Sequence, residues 1–245
     1  MTRYFIYFSY DGTNYHGWQI QPNGNTIQAE MHHALSVLLR KQIEVIGAGR
    51  TDTGVHARLM VAHFDGDDNI DVVQLAYRLN RILPQDIAVH EVKPVSEDMH
   101  ARFSAKSRTY RYYIHFKKNP FHRAYSYEIH YDLDFDAMNN AASYLLKQSD
   151  FTSFCKTGTD AKTMICHVTH AQWHKMSDNA WYFEITANRF LRNMVRAVVG
   201  TLIEVGRHRM DFDAFKKVIS DKTRTAAGES MPGHALFLED ITYLG

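Results

Sequence analysis

Gly47-Ala48-Gly49-Arg50-Thr51-Asp52-Thr53-Gly54-Val55-His56-Ala57-Arg58 is the stretch around which the chain is organised. It sets an arginine and a carboxylate two residues apart in a glycine-punctuated turn between two apolar runs. Glycine permits positive φ and close backbone approach, and a turn held by rigid strands is a common place to present chemistry. On its N-terminal side residues 44–48 predict a short strand, and on its C-terminal side residues 58–64 predict the returning strand. Residues 3–10 alternate aromatic and aliphatic side chains and predict a strand. A long turn-rich loop follows at 11–25, of a length that is often functional inside a compact domain. A helix capped by Asn25 or Thr26 is expected to run to about residue 41, with Ile27, Met31, Ala34, Leu35 and Leu38 at helical spacing. Residues 71–82 predict a second helix, ended by Pro84, and residues 87–92 a further strand. The order strand–helix–strand–strand–helix–strand is the split βαβ unit of ferredoxin-like folds.

The second half repeats that order of elements without repeating its residues. Strands are expected at 107–116 and 125–130, a helix at 134–147, and a hairpin of 165–176 with 181–187 turning about Ser177-Asp178-Asn179. Helices at 189–205 and 212–220 and a closing strand at 235–243 complete it. The expectation is an α+β protein of two ferredoxin-like halves, residues 1–100 and 101–245. They would form a continuous mixed or antiparallel sheet, with helices on one side and a central active-site cleft at the junction.

Composition narrows the classes. The chain has 245 residues, 45% of them apolar, and a net charge of +1. No apolar run approaches the length of a membrane span, and the start, Met1-Thr2-Arg3-Tyr4-Phe5-Ile6, enters a strand pattern without signal-peptide architecture. Cys155 and Cys166 are the only cysteines, too few for a disulfide framework, so a reducing cytoplasm is expected. Charge is unevenly spread. Residues 1–100 hold 8 Lys+Arg against 12 Asp+Glu, residues 101–245 hold 20 against 15, and from His100 to Arg123 there are seven basic residues and no acid. Arg189, Arg192, Arg196, Arg207 and Arg209 add a second basic cluster, with Arg189, Arg192 and Arg196 at i, i+3 and i+7 of the helix expected there. Two such segments suit a phosphate-bearing partner and equally suit two solvated faces.

Individual motifs divide the chemistry further. Gly47-Ala48-Gly49 with Gly54 has the wrong spacing for a dinucleotide loop, and a strand follows it where a helix N-terminus would be needed. Asp52-Thr53-Gly54 is also the tripeptide of aspartic proteases, which pair two such carboxylates; one copy here would require a homodimer. Cys166, His170 and His174 share one face of an expected strand. Spacings of four along a strand separate side chains by about 13 Å, too far for one metal to bridge, so they read as polar strand-face residues and no metal site is expected. Arg108-Thr109-Tyr110-Arg111-Tyr112-Tyr113 interleaves aromatics with arginines, as stacking on an exposed base plus phosphate contact would need, or as a Tyr-rich sheet face would show.

Taken together, these segments resemble one family. Ala48-Gly49-Arg50-Thr51-Asp52-Thr53-Gly54-Val55-His56-Ala57 resembles the signature of the TruA family of tRNA pseudouridine synthases. Tyr10-Asp11-Gly12, Tyr15-His16-Gly17-Trp18-Gln19, His100-Ala101-Arg102-Phe103-Ser104-Ala105, Arg108-Thr109-Tyr110-Arg111-Tyr112, Asp150-Phe151-Thr152-Ser153-Phe154, Met194-Val195-Arg196 and Val199-Gly200 follow in the family's order. Thr53 stands where alanine is common. The resemblance implies isomerisation of uridine to pseudouridine at positions 38, 39 and 40 of the tRNA anticodon stem-loop, without cofactor, by a homodimer. It implies that Asp52 is the catalytic carboxylate, acting at uracil C6, at ribose C1′ or through a glycal. It implies that Arg196 pairs with Asp52, that Arg50 holds the target base out of its stack, and that Tyr110 lies over the uracil, with or without a part in proton transfer at C5. The alternatives are a homodimeric aspartic protease and a tRNA-binding module without activity.

Overall fold

A computed structural model describes residues 1–159 and 161–243. The fold is α+β, with nine strands and five α-helices among those residues. The chain divides into two compact units. The first holds residues 1–106 and, of the described residues, 238–243; the second is Ser107–Phe237.

In the first unit the elements run β1 (Thr2–Tyr10), α1 (Ile27–Leu39), β2 (Ile46–Gly47), β3 (His56–Gly66), α2 (Val72–Ile82) and β4 (Ile87–Val95). Strand β1 lies between β4 and β3 and is antiparallel to both; β2 pairs antiparallel with β3. This is the order that a split βαβ unit requires. β9 (Leu236–Tyr243) follows β3 in the sheet order. Its end is held by the Tyr243 hydroxyl, which donates to Ala101 O at 2.7 Å, and by an edge contact of the Tyr243 ring on Phe5. Ile6, Phe8, Met60 and Ala62 are fully buried from the strands, and Met31, Leu35 and Leu79 from the helices. The helices start where side-chain acceptors stand: Thr26 accepts from Ala29 N and Asp71 from Gln74 N, each satisfying an amide that the first turn leaves open.

The expected strand at 44–48 shrinks to the two residues of β2. The backbone before it bonds elsewhere: Ser36 Oγ accepts from Ile43 N, His32 Nε2 accepts from Val45 N, and Gln28 Nε2 donates to Val45 O. Side chains of α1 satisfy these groups, so no ladder partner is needed.

The second unit contains β5 (Ala105–His115), β6 (Tyr127–Glu128), α3 (Phe135–Leu145), β7 (Val168–Ser177), β8 (Ala180–Ala187), α4 (Met194–Gly206) and α5 (Phe212–Asp221). Strand β8 is antiparallel to both β5 and β7, and β6 runs parallel to the end of β5. Asp134 and Asp211 cap α3 and α5 by accepting from Ala137 N and Ala214 N. Tyr112, Trp173, Phe183, Leu145, Val198, Leu202 and Phe215 fill the core.

Helix α4 begins five residues later than the charge pattern suggests. Asn193 takes a left-handed conformation at φ 68°, and the backbone before it is bound to other segments: Asn188 N donates to His167 O, and Lys156 N donates to Arg192 O. Arg189 and Arg192 therefore precede the helix, and only Arg196 of the three stands on it.

Helix α2 shows how one buried face carries an element. Leu79 is fully buried, whereas Val73 and Tyr77 are mostly exposed. Leu79→Ala is expected to lower unfolding free energy by about 2–5 kcal/mol, and Val73→Ala by less than about 0.5 kcal/mol, in urea titrations followed by circular dichroism. Equal losses at the two positions would contradict this orientation of the helix.

Candidate active site

The Asp52 turn is built from both sides. Ala48 N donates to Val61 O at 2.8 Å, which keeps the ascending segment on β3 up to the turn. Val55 N donates to Asp52 O at 3.1 Å and closes a four-residue turn. Gly54 is its third residue, at φ 74°, the position at which a type II turn requires positive φ. The side chain of Asp52 is half-buried, and Arg50 is exposed.

The loop after β1 is laid against this turn, backbone to backbone. Trp18 N donates to Thr51 O at 3.2 Å, and Gly54 N donates to Tyr15 O at 3.3 Å. Gly17, at φ 88°, passes so close that a Cβ would stand 2.3 Å from Thr51 O. Below, the Tyr10 and Thr51 hydroxyls are bonded at 2.9 Å in a buried position. The loop is tied back by Asp86: its Oδ1 accepts from the Tyr15 hydroxyl at 2.8 Å, and its carbonyl accepts from Asp11 N. Burial first, and that bond second, push the Tyr15 hydroxyl far above its ordinary pKa, so it stays a neutral donor.

His56 completes the interlock. It is almost fully buried. Its Nδ1 accepts from Gly12 N at 3.0 Å and lies 3.0 Å from Asp11 Oδ1. The neutral ring takes the amide bond; a proton on Nδ1 would turn that position to the Asp11 carboxylate. The sequence motifs contain these residues, yet no local pattern assigns His56, Gly17 or Tyr10 a role, because each meets a partner more than thirty residues away in the chain.

Tyr110 and Arg196 belong to the second unit. Tyr110 stands on β5 opposite Ile185 of β8. It is 9% exposed, and its ring meets Phe190 edge to face at 5.1 Å. Arg108, also nearly buried, donates to Asn188 O at 2.8 Å and fixes the chain just before Phe190. Arg196 lies in the first turn of α4, half-buried. Its Nε donates to Met231 O, and Met231 N donates to Arg196 O at 3.1 Å. Ser230 Oγ accepts from Asn193 Nδ2 and from Arg224, so segment 224–231 is bound to the start of the helix. The segment also rests on α4 itself: a Cβ at Gly200 would stand 1.8 Å from Glu229 O. The Tyr112 hydroxyl is buried with no hydrogen-bond partner among the described residues. Burial pushes its pKa up, and the nearby Arg196 charge acts the other way.

Arg50 and Asp52 thus share one turn of the first unit, while Tyr110 and Arg196 share the second. One half-buried carboxylate on an immobilised turn can serve as a nucleophile or a base without a metal ligand set of its own. Among the described residues, no helix is long and apolar enough to cross a membrane.

Known proteins resemble this chain over nearly its whole length. A family profile described as tRNA pseudouridine synthase matches residues 6–104 and 141–244. A tRNA pseudouridine synthase A from Bacteroides thetaiotaomicron is 57% identical over 245 residues, covering 99% of this chain and 91% of the relative. One from Bacteroides fragilis is 58% identical over 242 residues, covering 98% and 96%. At greater distance, the enzyme of that name from Acetivibrio thermocellus is 40% identical and covers 97% of this chain and 98% of the relative.

The interlock can be tested directly. Gly17→Ala brings a Cβ onto Thr51 O in a backbone conformation that an L residue rarely adopts. It is expected to destabilise the protein by about 1–3 kcal/mol and to make the 49–55 turn mobile. Hydrogen exchange at the Trp18 and Gly54 amides should accelerate by at least tenfold, and unchanged exchange there would show that the loop does not hold the turn.

Proposed function

The chain belongs to the tRNA pseudouridine synthase family, and from that premise we propose that it isomerises uridine to pseudouridine at positions 38, 39 and 40 of the tRNA anticodon stem-loop, acting as a cytoplasmic homodimer. The observation that carries the reading is the half-buried Asp52 carboxylate on a turn whose backbone is locked by the 11–18 loop. The aspartic-protease reading of Asp52-Thr53-Gly54 and the reading as a binding module without activity find no support among the relatives.

The reaction exchanges the N1–C1′ bond of uridine for a C5–C1′ bond. N1 is released and takes up a proton, the uracil turns, and C5 bonds to C1′ and gives up its own proton to solvent or a base, so protons balance. Atoms balance within the nucleotide, so the step needs no redox equivalent and no group donor. It needs a carboxylate whose position does not drift while the base turns. The interlock supports that role by removing backbone freedom at the moment of reaction, which is the main contribution a preorganised site makes.

In this reading Asp52 is the catalytic group, at C6, at C1′ or after glycal formation. Arg196 pairs with it and keeps it ionised and oriented; the bonds from Met231 that hold Arg196 in place suit that task. Arg50, exposed on the same turn, enters the stack as the target nucleotide leaves and offsets part of the few kcal/mol that extrusion costs. Tyr110 lies over the uracil, its ring fixed by Phe190, and contributes stacking or a hydroxyl near C5. Exposed Lys117, Lys118 and Arg123 on the loop after β5, and Arg192 before α4, supply phosphate contacts to the tRNA. In a dimer, the basic segments of both copies would serve each tRNA.

Two variants test the assignment on unmodified tRNA, with pseudouridine mapped by sequence position. Asp52→Asn should lower turnover by at least ~10³-fold and leave tRNA affinity within about twofold; an active Asp52→Asn protein would remove the catalytic assignment. Arg196→Ala should lower kcat far more than it weakens tRNA binding. A loss confined to affinity would make Arg196 a phosphate contact instead.

A further inference from the structure

The second unit carries a cluster that the isomerisation does not use. Strands β7 and β8 form a hairpin in which Gln172 faces Glu184, His174 faces Tyr182 and His170 faces Thr186. Glu184 is therefore diagonal to both histidines across the ladder, within reach of long side chains. The two imidazoles lean toward each other: their ring centroids are 5.8 Å apart and their planes 19° apart. This closes much of the separation that strand spacing alone imposes between positions 170 and 174. Cys166, which shares the spacing of four, lies before β7 and takes no part.

We propose that His170, His174 and Glu184 form a binding site for a divalent transition-metal ion, best suited to Zn²⁺, that clips β7 to β8. One ligand atom from each residue lies within 4.8 Å of the other two. His170 Nε2 is 3.5 Å from a Glu184 carboxylate oxygen, close to the roughly 3.3 Å edge of a tetrahedron with metal–ligand bonds of about 2.0–2.1 Å. Nε2 of both histidines is buried and has no hydrogen-bond partner among the described residues. A buried ring nitrogen without a hydrogen bond is uncommon, and two of them beside one carboxylate is the arrangement a metal would satisfy.

The surrounding groups hold these donors in place. Arg111 Nε donates to the other Glu184 oxygen at 2.6 Å, which orients the carboxylate as the second shell of a metal site does. The Arg111 guanidinium lies over the Tyr182 ring, and the His174 ring stacks on the other partner of that contact, Tyr182 itself, at 5.0 Å. Two imidazoles and one carboxylate select a borderline ion such as Zn²⁺ or Co²⁺ over Mg²⁺ or Ca²⁺, which prefer all-oxygen shells. Three protein donors leave a fourth position for water. Arg111 alternates with Tyr110 along β5, so the cluster stands on the sheet face opposite Tyr110, and the ion is a structural clip, separate from the Asp52 chemistry.

The test uses the full chain stripped by chelator and dialysed. ZnCl₂ is titrated by calorimetry, and CoCl₂ by visible absorption. One equivalent of either ion should bind, Zn²⁺ should raise Tm by several degrees, and bound Co²⁺ should show the d–d bands of a low-coordinate site. His170→Gln and His174→Gln should each weaken binding at least tenfold and remove the bands, while Cys155→Ser with Cys166→Ser should change nothing. In the unaltered protein, Zn²⁺ should protect His170 and His174 from diethyl pyrocarbonate, read by mass spectrometry, a measurement that does not depend on any variant folding. Absence of saturable binding, binding retained in both histidine variants, loss in the cysteine variant, or modification of His170 and His174 unaffected by Zn²⁺ would each overturn the proposal.

Discussion

The close passage of the 11–18 loop over the Asp52 turn is the constraint on which the first unit depends. Two backbones come together there, joined directly by the Trp18 and Gly54 amide bonds, while the Gly12 amide bonds the buried His56 ring across the join. Each such bond contributes only about 1 kcal/mol to stability. Their larger effect is on freedom: a turn held at Thr51, Gly54 and His56 has few ways to move Asp52. The positive-φ residues at this join, Gly17 and Gly54, follow from that contact, because a Cβ at Gly17 would stand inside van der Waals distance of the turn. Buried His56 and the Tyr10–Thr51 pair then satisfy the polar groups that the contact removes from water.

The second unit achieves the same rigidity by a different route. Arg196 sits in the first turn of a helix whose start is not capped by the usual side-chain oxygen. Segment 224–231 takes over instead. It accepts from Arg196 through Met231 O, binds Asn193 through Ser230, and lies on Gly200 with no room for a Cβ. A guanidinium at a helix N-terminus faces the unfavourable end of the helix dipole. Bonds from a neighbouring segment compensate and fix its direction.

Much of this was legible in the sequence. The cap at Thr26, the helical spacing of Ile27, Met31 and Leu35, and the Ser177–Asn179 turn each depend on residues a few positions apart, so local chemistry names them. The elements that shifted are those whose backbone bonds go far along the chain. Residues 44–48 look like a strand by composition, but α1 side chains take the amide and carbonyl of Val45 and only Ile46–Gly47 pair with β3. Residues 189–192 carry helical charge spacing, yet His167 and Lys156 hold them outside α4. The histidine pair of β7 is a different case. Strand spacing gives the distance between Cα atoms and not the lean of the rings, and the lean brings His170 and His174 within 5.8 Å. The Asp52 motif was readable as a motif, while the work of Gly17, His56 and Met231 was not, since no spacing rule links positions 17 and 51 or 196 and 231.

The first compact unit is discontinuous in the chain: residues 238–243 belong with residues 1–106. During synthesis on the ribosome, the unit that bears Asp52 is therefore begun before the second unit and completed after it. Until the final strand emerges, β3 lacks its β9 neighbour, Ala101 O lacks the Tyr243 hydroxyl, and Phe5 lacks its edge contact. A nascent chain stalled within Ser107–Phe237 would expose an open β3 edge, the kind of surface that recruits chaperones or pairs with the wrong strand. The order of translation thus withholds a finished Asp52 unit until the unit bearing Tyr110 and Arg196 has been made.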